Sequence, residues 1–469
     1  MNNTAKRPMR KVPRSIRASA TSRSVAASHV ISPAIRRVAG HFYLTPLLIL
    51  FWFIFYQNVP ETLNGFAFKP ISTLGAIDRT VKISMIVISL AVISARWSVS
   101  RQLLRNINPG LVACMVLIPL SALWSMDSSA TLLRFTTLIS IVLLCLAIPL
   151  AGWDRDRFRQ VALPPVMAIL ILSLVVGILF PDMVKEQGTD ISLNNSWHGI
   201  TYQKNGFGTT ASIVTILCVH RLLAPGRHTF WTISGIVIAL TCLLLSRSST
   251  SLLSMLLSVV FMTLMLRVPV IKARFSTLVV ISIFTLIFIY ALAIQNLIPG
   301  VSTLLAPVMH LTGKDMTFSA RSIIWDVIKE RIQAAPWLGT GYGAYWTGPN
   351  PGSEAYDRFM ALMNFYPSES HNGYLEIMND LGRVGLICLL AFLVFFVRQA
   401  LLLMPFDRGQ AVLHIALLFQ QMVDNLSESE WFSRTATCTL LILGSTCLSR
   451  ALLEQRLSAQ RVVSGGRSS

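Results

Sequence analysis

The sequence predicts an all-α polytopic membrane protein: about twelve transmembrane helices, one large extracytoplasmic loop, and both termini cytoplasmic. Three observations lead there. Of 469 residues, 53% are hydrophobic and 13% charged, with a mean hydropathy of +0.61; a soluble domain carries roughly 25% charge. Apolar runs of about 16–24 residues recur, near the roughly 20 needed to cross a ~30 Å hydrocarbon core. They are too long and continuous for the ~10-residue alternating strands of a barrel, so helices must satisfy the backbone in lipid. Basic residues, finally, fall on one side. With the N-terminus inside, the segments 1–41, 96–105, 155–159, 221–227, 267–274, 398–408 and 450–467 hold 26 Lys/Arg, and the same side has only four acids: Asp154, Asp156, Asp407 and Glu454. The opposite side holds 14 basic and 17 acidic residues, so the net +19 divides into +22 and −3, as the positive-inside rule requires. Topology and contact with anionic lipid account for this basic total, so no nucleic-acid partner is expected.

The elements follow in order. Residues 1–40 carry nine Lys/Arg, no Asp or Glu, and many Ser and Ala, the composition of a basic, disordered cytoplasmic tail lying on headgroups. A first span near 42–57 is followed by Gln57-Asn58-Val59-Pro60 rather than a cleavage site, and is read as retained. A transmembrane bundle over 41–298 has about nine spans, with the others near 80–95, 109–125, 131–151, 161–180, 205–222, 229–246, 250–267 and 275–298. A large periplasmic loop with amphipathic helices occupies 299–380. The chain re-enters over 381–450, with spans near 381–404, 411–425 and 432–449, and ends in a cytoplasmic tail at 451–469. All seven cysteines (Cys114, Cys145, Cys218, Cys242, Cys388, Cys438 and Cys447) fall in expected spans, which excludes a disulfide-stapled outer domain.

Within the loop, Ser319-Ala320-Arg321-Ser322 opens a segment in which Ile324, Val327, Ile328, Arg331, Ile332 and Ala335 share a helical face. Asp326, Lys329 and Glu330 face away, so the helix lies on the membrane surface or on the bundle. Arg321 and Trp325, four apart, project together, and Pro336 ends the helix. Gly339, Gly341 and Gly343 follow, with Tyr342, Tyr345 and Trp346 among them. That stretch either offers aromatic faces to sugars or packs its own aromatics. A dinucleotide-binding reading fails for want of a strand–helix context. His371-Asn372 then opens a short helix with Leu375, Met378 and Leu381 on its apolar side, and Gly382 is its expected stop.

His371 is a side chain that can accept a proton near neutral pH, placed outside the lipid at the start of a span. Isolated cations stand at three other outward positions: Arg134, Lys204 with Asn205, and Arg247 within Ser246-Arg247-Ser248-Ser249. Singly, each snorkels to the headgroups. Together with Arg321 they make a cationic cavity at headgroup depth, where ionisable groups are costly unless paired or functional. A diphosphate suits such a place, because the Arg fork binds phosphate oxygens in bidentate fashion. Asp154-Arg155-Asp156 imitates a metal-binding pair but lies on the cytoplasmic side between arginines, so no metal and no cofactor are expected.

These residues resemble the O-antigen ligase / Wzy-type polysaccharide polymerase family of bacterial membrane glycosyltransferases. His371-Asn372-X9-Gly382-X2-Gly385 is similar to its ligase-loop motif, and Arg134-Phe-Thr-Thr-Leu138 to its Arg-X3-Leu element. Lys204-Asn205-X2-Gly208, Ser246-Arg247, Arg321-X3-Trp325 with Pro336-X2-Gly339-X-Gly341, and Asn425-Leu-Ser-Glu428 resemble its other signatures. Each is weak alone; six in order, on one side, are specific. The likeness covers about 100–450 and leaves out the basic tail.

The resemblance implies a lipid-diphosphate-linked glycan as donor, metal-independent inverting transfer without nucleotide, and a multi-pass place in the bacterial inner membrane. The pattern lies nearer the exopolysaccharide polymerases than the lipopolysaccharide ligases. The expected function is polymerisation of undecaprenyl-diphosphate-linked oligosaccharide repeat units at the outer face of that membrane; the alternatives are ligation to lipid A–core and a flippase or transporter role. Partners are the lipid-linked oligosaccharide, membrane lipids, a flippase, and chain-length and export proteins. No nucleotide-sugar pool exists outside the cytoplasm, so the activated sugar arrives on a lipid and fixed cations stabilise the departing diphosphate. Arg247 and Arg321 are expected on the diphosphate, with Arg134 and Lys204 in support. Asn205, Trp325 and Asn372 join the substrate site, and His371 is the base or orients the acceptor. Glu369, Glu376, Glu428 and Glu430 are rival bases.

Overall fold

The computed structural model describes residues 76–186, 195–201, 203–223, 230–294 and 319–465. The basic tail and the span expected at 42–57 lie outside the described residues. The rest is helical: α1 Ala76–Ala95, α2 Trp97–Leu104, α3 Pro109–Leu120, α4 Ser128–Ala151, α5 Arg157–Leu179, α6 Lys204–Leu223, α7 Phe230–Ser246, α8 Ser249–Arg267, α9 Ser276–Ile294, α10 Ser319–Ala334, α11 Glu354–Met363, α12 Gly373–Leu403, α13 Arg408–Asp424 and α14 Ala436–Gly465. Among the described residues there is no strand, only an isolated bridge between Lys185 and Trp197.

Helix starts follow from capping chemistry. Asn108, Asp127, Ser248, Ser353, Asn372 and Asp407 each accept at least one backbone N–H of the helix they precede, satisfying donors that an uncapped end leaves bare. A helix stands at every span expected within the described residues. Seven helices (α4, α5, α6, α8, α9, α12 and α14) are long and apolar enough to cross a membrane; α1 and α2, bent by 101° at their junction, make an eighth if they count as one. α3 and α7 are apolar but shorter. α13 has 17 residues, about 25 Å at 1.5 Å per residue. It buries Gln410, His414, Gln420, Gln421 and Asp424 against neighbours that include α6, α8 and α12, so it is an internal element of the bundle. α12 starts earlier than its expected span, because the short helix opened at Asn372 continues into it across a break at Gly382.

Long-range hydrogen bonds sort the turns into two ends. At one end Gln410 Nε2 donates to Asp156 Oδ1 (3.1 Å), Gln399 Nε2 donates to Asn106 O (3.1 Å), and His220 Nε2 lies 2.9 Å from Gly409 O. Arg155, Arg157, Arg159, Arg221 and Arg408 belong to this end. At the other end Trp197 N donates to Leu245 O (2.9 Å), Tyr342 N to Ser121 Oγ (3.1 Å) and Gly373 N to Asn425 O (2.9 Å).

Over that second end lies the loop layer. Ile324, Val327, Ile328 and Ile332 of α10 form a core with Tyr345, Trp346, Phe359, Leu375 and Met378. The amphipathic segment therefore packs on protein, one of its two expected resting places. Tyr342, Tyr345 and Trp346 are buried, and Trp346 stacks on Phe359 with centroids 5.6 Å apart. Of the two readings of that stretch, the structure selects self-packing over sugar-facing aromatics, because burying these rings removes large apolar areas from water.

Candidate active site

Four separate stretches meet at Glu428. Its Oε1 accepts from Asn205 Nδ2 at the head of α6 (2.6 Å) and from Arg321 Nη2 on the first turn of α10 (3.1 Å); its Oε2 accepts from Gln203 Nε2 (3.2 Å). His371 Nδ1, just before α12, lies 3.6 Å from Oε2 and 3.1 Å from Glu369 Oε1. Glu428 is 5% exposed, while His371 and Glu369 are each 24% exposed and Arg321 21%. Three expected site residues, Asn205, Arg321 and His371, thus converge on a carboxylate that was expected only as a rival base.

The turn before α12 holds His371 there. Asn372 caps α12, its Oδ1 accepting Tyr374 N and Leu375 N, both at 3.1 Å, and its own N–H donates to Ser429 Oγ (3.2 Å). Gly373 follows because a Cβ at that position would meet Asn425 Oδ1 at 2.0 Å. Asn425 Oδ1 also accepts Glu430 N (2.9 Å) and Trp431 N (3.1 Å), which shapes the turn that presents Glu428. The two motifs are therefore one piece of structure. His371 itself sits at φ +50°, a left-handed conformation that costs a non-glycine residue energy and is kept where surroundings over-determine it.

The second half of the ligase-loop motif anchors the loop layer. Gly382 has φ +63°, and a Cβ there would meet Trp337 C and O at 2.3 Å. The break frees two helical N–H groups: Arg383 N donates to Pro336 O (2.9 Å) and Val384 N to Trp337 O (3.2 Å). Thr340 N and Gly341 N donate to Asn379 O and Asp380 O at 2.8 and 2.9 Å. The glycine-rich stretch is a clasp on α12, which sets the height of α10 and hence of Arg321.

The remaining expected residues divide. Trp325 Nε1 donates to Ser370 O (3.0 Å), beside the cluster, and Ser370 Oγ is 3.1 Å from Ser429 Oγ. Asn372 is fully buried and its side chain is taken up by the cap. Arg134 Nη2 donates to Trp346 O (2.5 Å), which ties α4 to the loop layer rather than to Glu428. Lys204 N donates to Glu186 Oε1 (3.0 Å) at the same end of the bundle. Arg247 is exposed at φ +50° in the turn between α7 and α8; the head of α8 next to it reaches α6 through Ser251 Oγ and Asn205 O (3.4 Å). Of the rival bases, Glu376 Oε2 accepts Ser370 N (3.0 Å) and Glu430 Oε2 accepts Gln421 Nε2 (3.2 Å). Gln203 escaped the sequence reading altogether; only its place one residue before Lys204-Asn205 could have signalled it.

Charge states follow from these contacts. Burial alone would depress the His371 ring, but Glu369 and Glu428 outweigh it and hold the ring up at about 10. Burial alone would raise Glu428, yet His371, Arg321 and Asn205 keep it below its ordinary value. Glu430, buried and near other acids, is pushed well above the carboxylate range. Within the cluster, then, burial and pairing favour a protonated His371 ring beside an ionised Glu428. Glu369, His371 and Glu428 place three possible metal-ligating atoms within 4.8 Å of one another. Arg321 and Asn205 lie on Glu428 Oε1, and His371 Nδ1 faces Glu369 Oε1 and Glu428 Oε2.

Residues 234–390 match the family model described as O-Antigen ligase, a stretch that contains Arg247, Arg321, Trp325, His371 and Asn372 and stops short of Glu428. The exopolysaccharide production protein ExoQ of Rhizobium meliloti (strain 1021) is 26% identical over 277 residues, 58% of this chain and 60% of that protein. The matched region thus spans less than two-thirds of the relative's length. With apolar helices long enough to cross a bilayer, these likenesses support a multi-pass protein of the bacterial inner membrane that is similar to the O-antigen ligase / Wzy-type family.

Proposed function

We propose that this protein polymerises undecaprenyl-diphosphate-linked oligosaccharide repeat units at the outer face of the inner membrane during exopolysaccharide production, by metal-independent inverting transfer. The observation that carries the reading is the convergence of Asn205, Arg321 and His371 on one buried carboxylate at the end of an apolar bundle. A departing diphosphate gains negative charge in the transition state, and preorganised donors aimed at it are usually the largest catalytic contribution. Arg321 and His371 supply fixed positive charge, with Lys204 and Arg247 at neighbouring turns for the rest of the diphosphate. Arg134 and Asn372 act at one remove: the first holds the loop layer and the second the turn that carries His371. The relative's name, an exopolysaccharide production protein, favours polymerisation. The family description, O-Antigen ligase, favours ligation to lipid A–core as the second reading.

Purified protein in liposomes, supplied with its host's lipid-linked repeat unit, should yield a ladder of polymer with inverted anomeric configuration, and a chelator should leave the rate unchanged. A product made only when lipid A–core is added would select the ligase. Movement of donor across the bilayer without a new glycosidic bond would select a transporter and sink both transfer readings.

The reading includes twelve crossings with both termini cytoplasmic and the loop layer periplasmic. It is supported by the arginine-rich turns gathered at the opposite end from Glu428. A cysteine at exposed Asn350 should react with an impermeant reagent from outside, and one at exposed Gln102 should not. Reversed labelling would put the site in the cytoplasm, where lipid-linked donors are not displayed for polymerisation.

A further inference from the structure

Transfer needs a group to take the acceptor's proton. His371 Nδ1 faces two carboxylates, at 3.1 and 3.6 Å, and such a pair favours the imidazolium, in which neither ring nitrogen keeps a lone pair to accept with. The two glutamates beside it differ. Glu428 is nearly buried, and its oxygens are engaged by Asn205, Gln203 and Arg321. Glu369 stands on the irregular stretch before His371, about a quarter exposed, with His371 on Oε1. Among the described residues its second oxygen has no hydrogen-bond partner. Glu376 and Glu430 are engaged by Ser370 and Gln421, and Glu430 is buried.

We infer that Glu369 is the base that takes the acceptor proton, and that His371 is a standing cation beside the leaving group. The inference rests on the transfer reading above. In the step, the acceptor hydroxyl oxygen forms a bond to the anomeric carbon of the donor. The bond from that carbon to the phosphate oxygen breaks, its electron pair leaving with undecaprenyl diphosphate. The hydroxyl proton passes to the Glu369 carboxylate and from there to water, to which that side chain is open. The charge on His371 agrees with the two carboxylates that face its Nδ1 and raise the ring's affinity for its proton. Around this pair stand Glu428, which Arg321 of α10 also contacts, and Glu376 of α12 and Glu430, both of which feel the Glu369 charge, while Arg134 of α4 acts on Glu376.

Glu369→Gln should lower kcat by roughly 10²–10⁴-fold, with little change in KM and unchanged binding of undecaprenyl diphosphate in liposomes. Glu369→Asp, with its carboxylate set back, should recover part of that loss. The wild-type rate should stay level as pH passes 6.5, and His371→Arg should keep measurable transfer. Wild-type kcat in Glu369→Gln would overturn the inference. So would a wild-type step near pH 6.5 that disappears in His371→Gln, which would make the histidine the base; that profile needs no Glu369 variant to fold. If wild-type protein itself makes no glycosidic bond, the functional reading fails instead.

Discussion

Arg321→Ala should lower transfer by about 10²–10³-fold, the usual cost of removing one preorganised donor from a developing oxyanion. The side chain projects from the first turn of α10, whose apolar face is locked into the loop core. Its Nη2 contact with Glu428 at 3.1 Å fixes the fork further. The variant leaves Glu428 with Asn205, Gln203 and His371 as partners, so the stability loss should be about 1.5–3 kcal/mol, the range for a hydrogen bond to a charged group, and the protein should still insert. Arg321→Lys keeps charge but not planar bidentate geometry, and should fall between. Initial rates of purified variants at matched protein amounts decide it. A wild-type rate in Arg321→Ala would mean that the guanidinium serves only to hold Glu428.

The His371–Glu428 pair should also shape stability against pH. The ring's affinity for its proton rises on folding from 6.5 to about 10. Its contribution is therefore complete below pH 6.5 and is lost as pH rises through 10. Glu428 is held below its ordinary value of 4.5, so its contribution is present above that value and is lost on acidification. Thermal unfolding in detergent should show a maximum between the two, with an alkaline decline on the order of 3–5 kcal/mol for the histidine, an upper bound because the ring is partly exposed. In Glu428→Gln one of the two carboxylates beside Nδ1 is gone, and the alkaline decline should begin at lower pH. An identical alkaline limb in wild type and Glu428→Gln would show that the pair does not set the ring's charge.

Much of the architecture was legible because membrane helices announce themselves locally. Each apolar run beyond residue 76 marked a real helix, and the face shared by Ile324, Val327, Ile328 and Ile332 predicted burial correctly. Whether a helix reaches across the bilayer was less legible. α13 has an apolar stretch, yet its buried glutamines and Asp424 satisfy neighbours in the bundle, and periodicity cannot tell a lipid-facing position from a protein-facing one. Aromatic residues among glycines were ambiguous for a similar reason: Tyr345 and Trp346 could not reveal Phe359, their partner further along the chain.

The sequence by itself determined the class of molecule, the strongly basic and the slightly acidic sets of its turns, and the residue types of the site, since hydropathy, charge bias and motif spacing are properties of neighbouring residues. Only the tertiary structure decided which of those residues meet. Asn205, Arg321, His371 and Glu428 lie on four stretches scattered over more than 200 positions, and no local rule links them. Packing α12 against α3, α10 and α13 puts them within hydrogen-bonding or ion-pair distance of one carboxylate. There burial makes unpaired charge costly, and the carboxylates around His371 favour a fixed cation at a histidine that the sequence reads as a base or as a group that orients the acceptor.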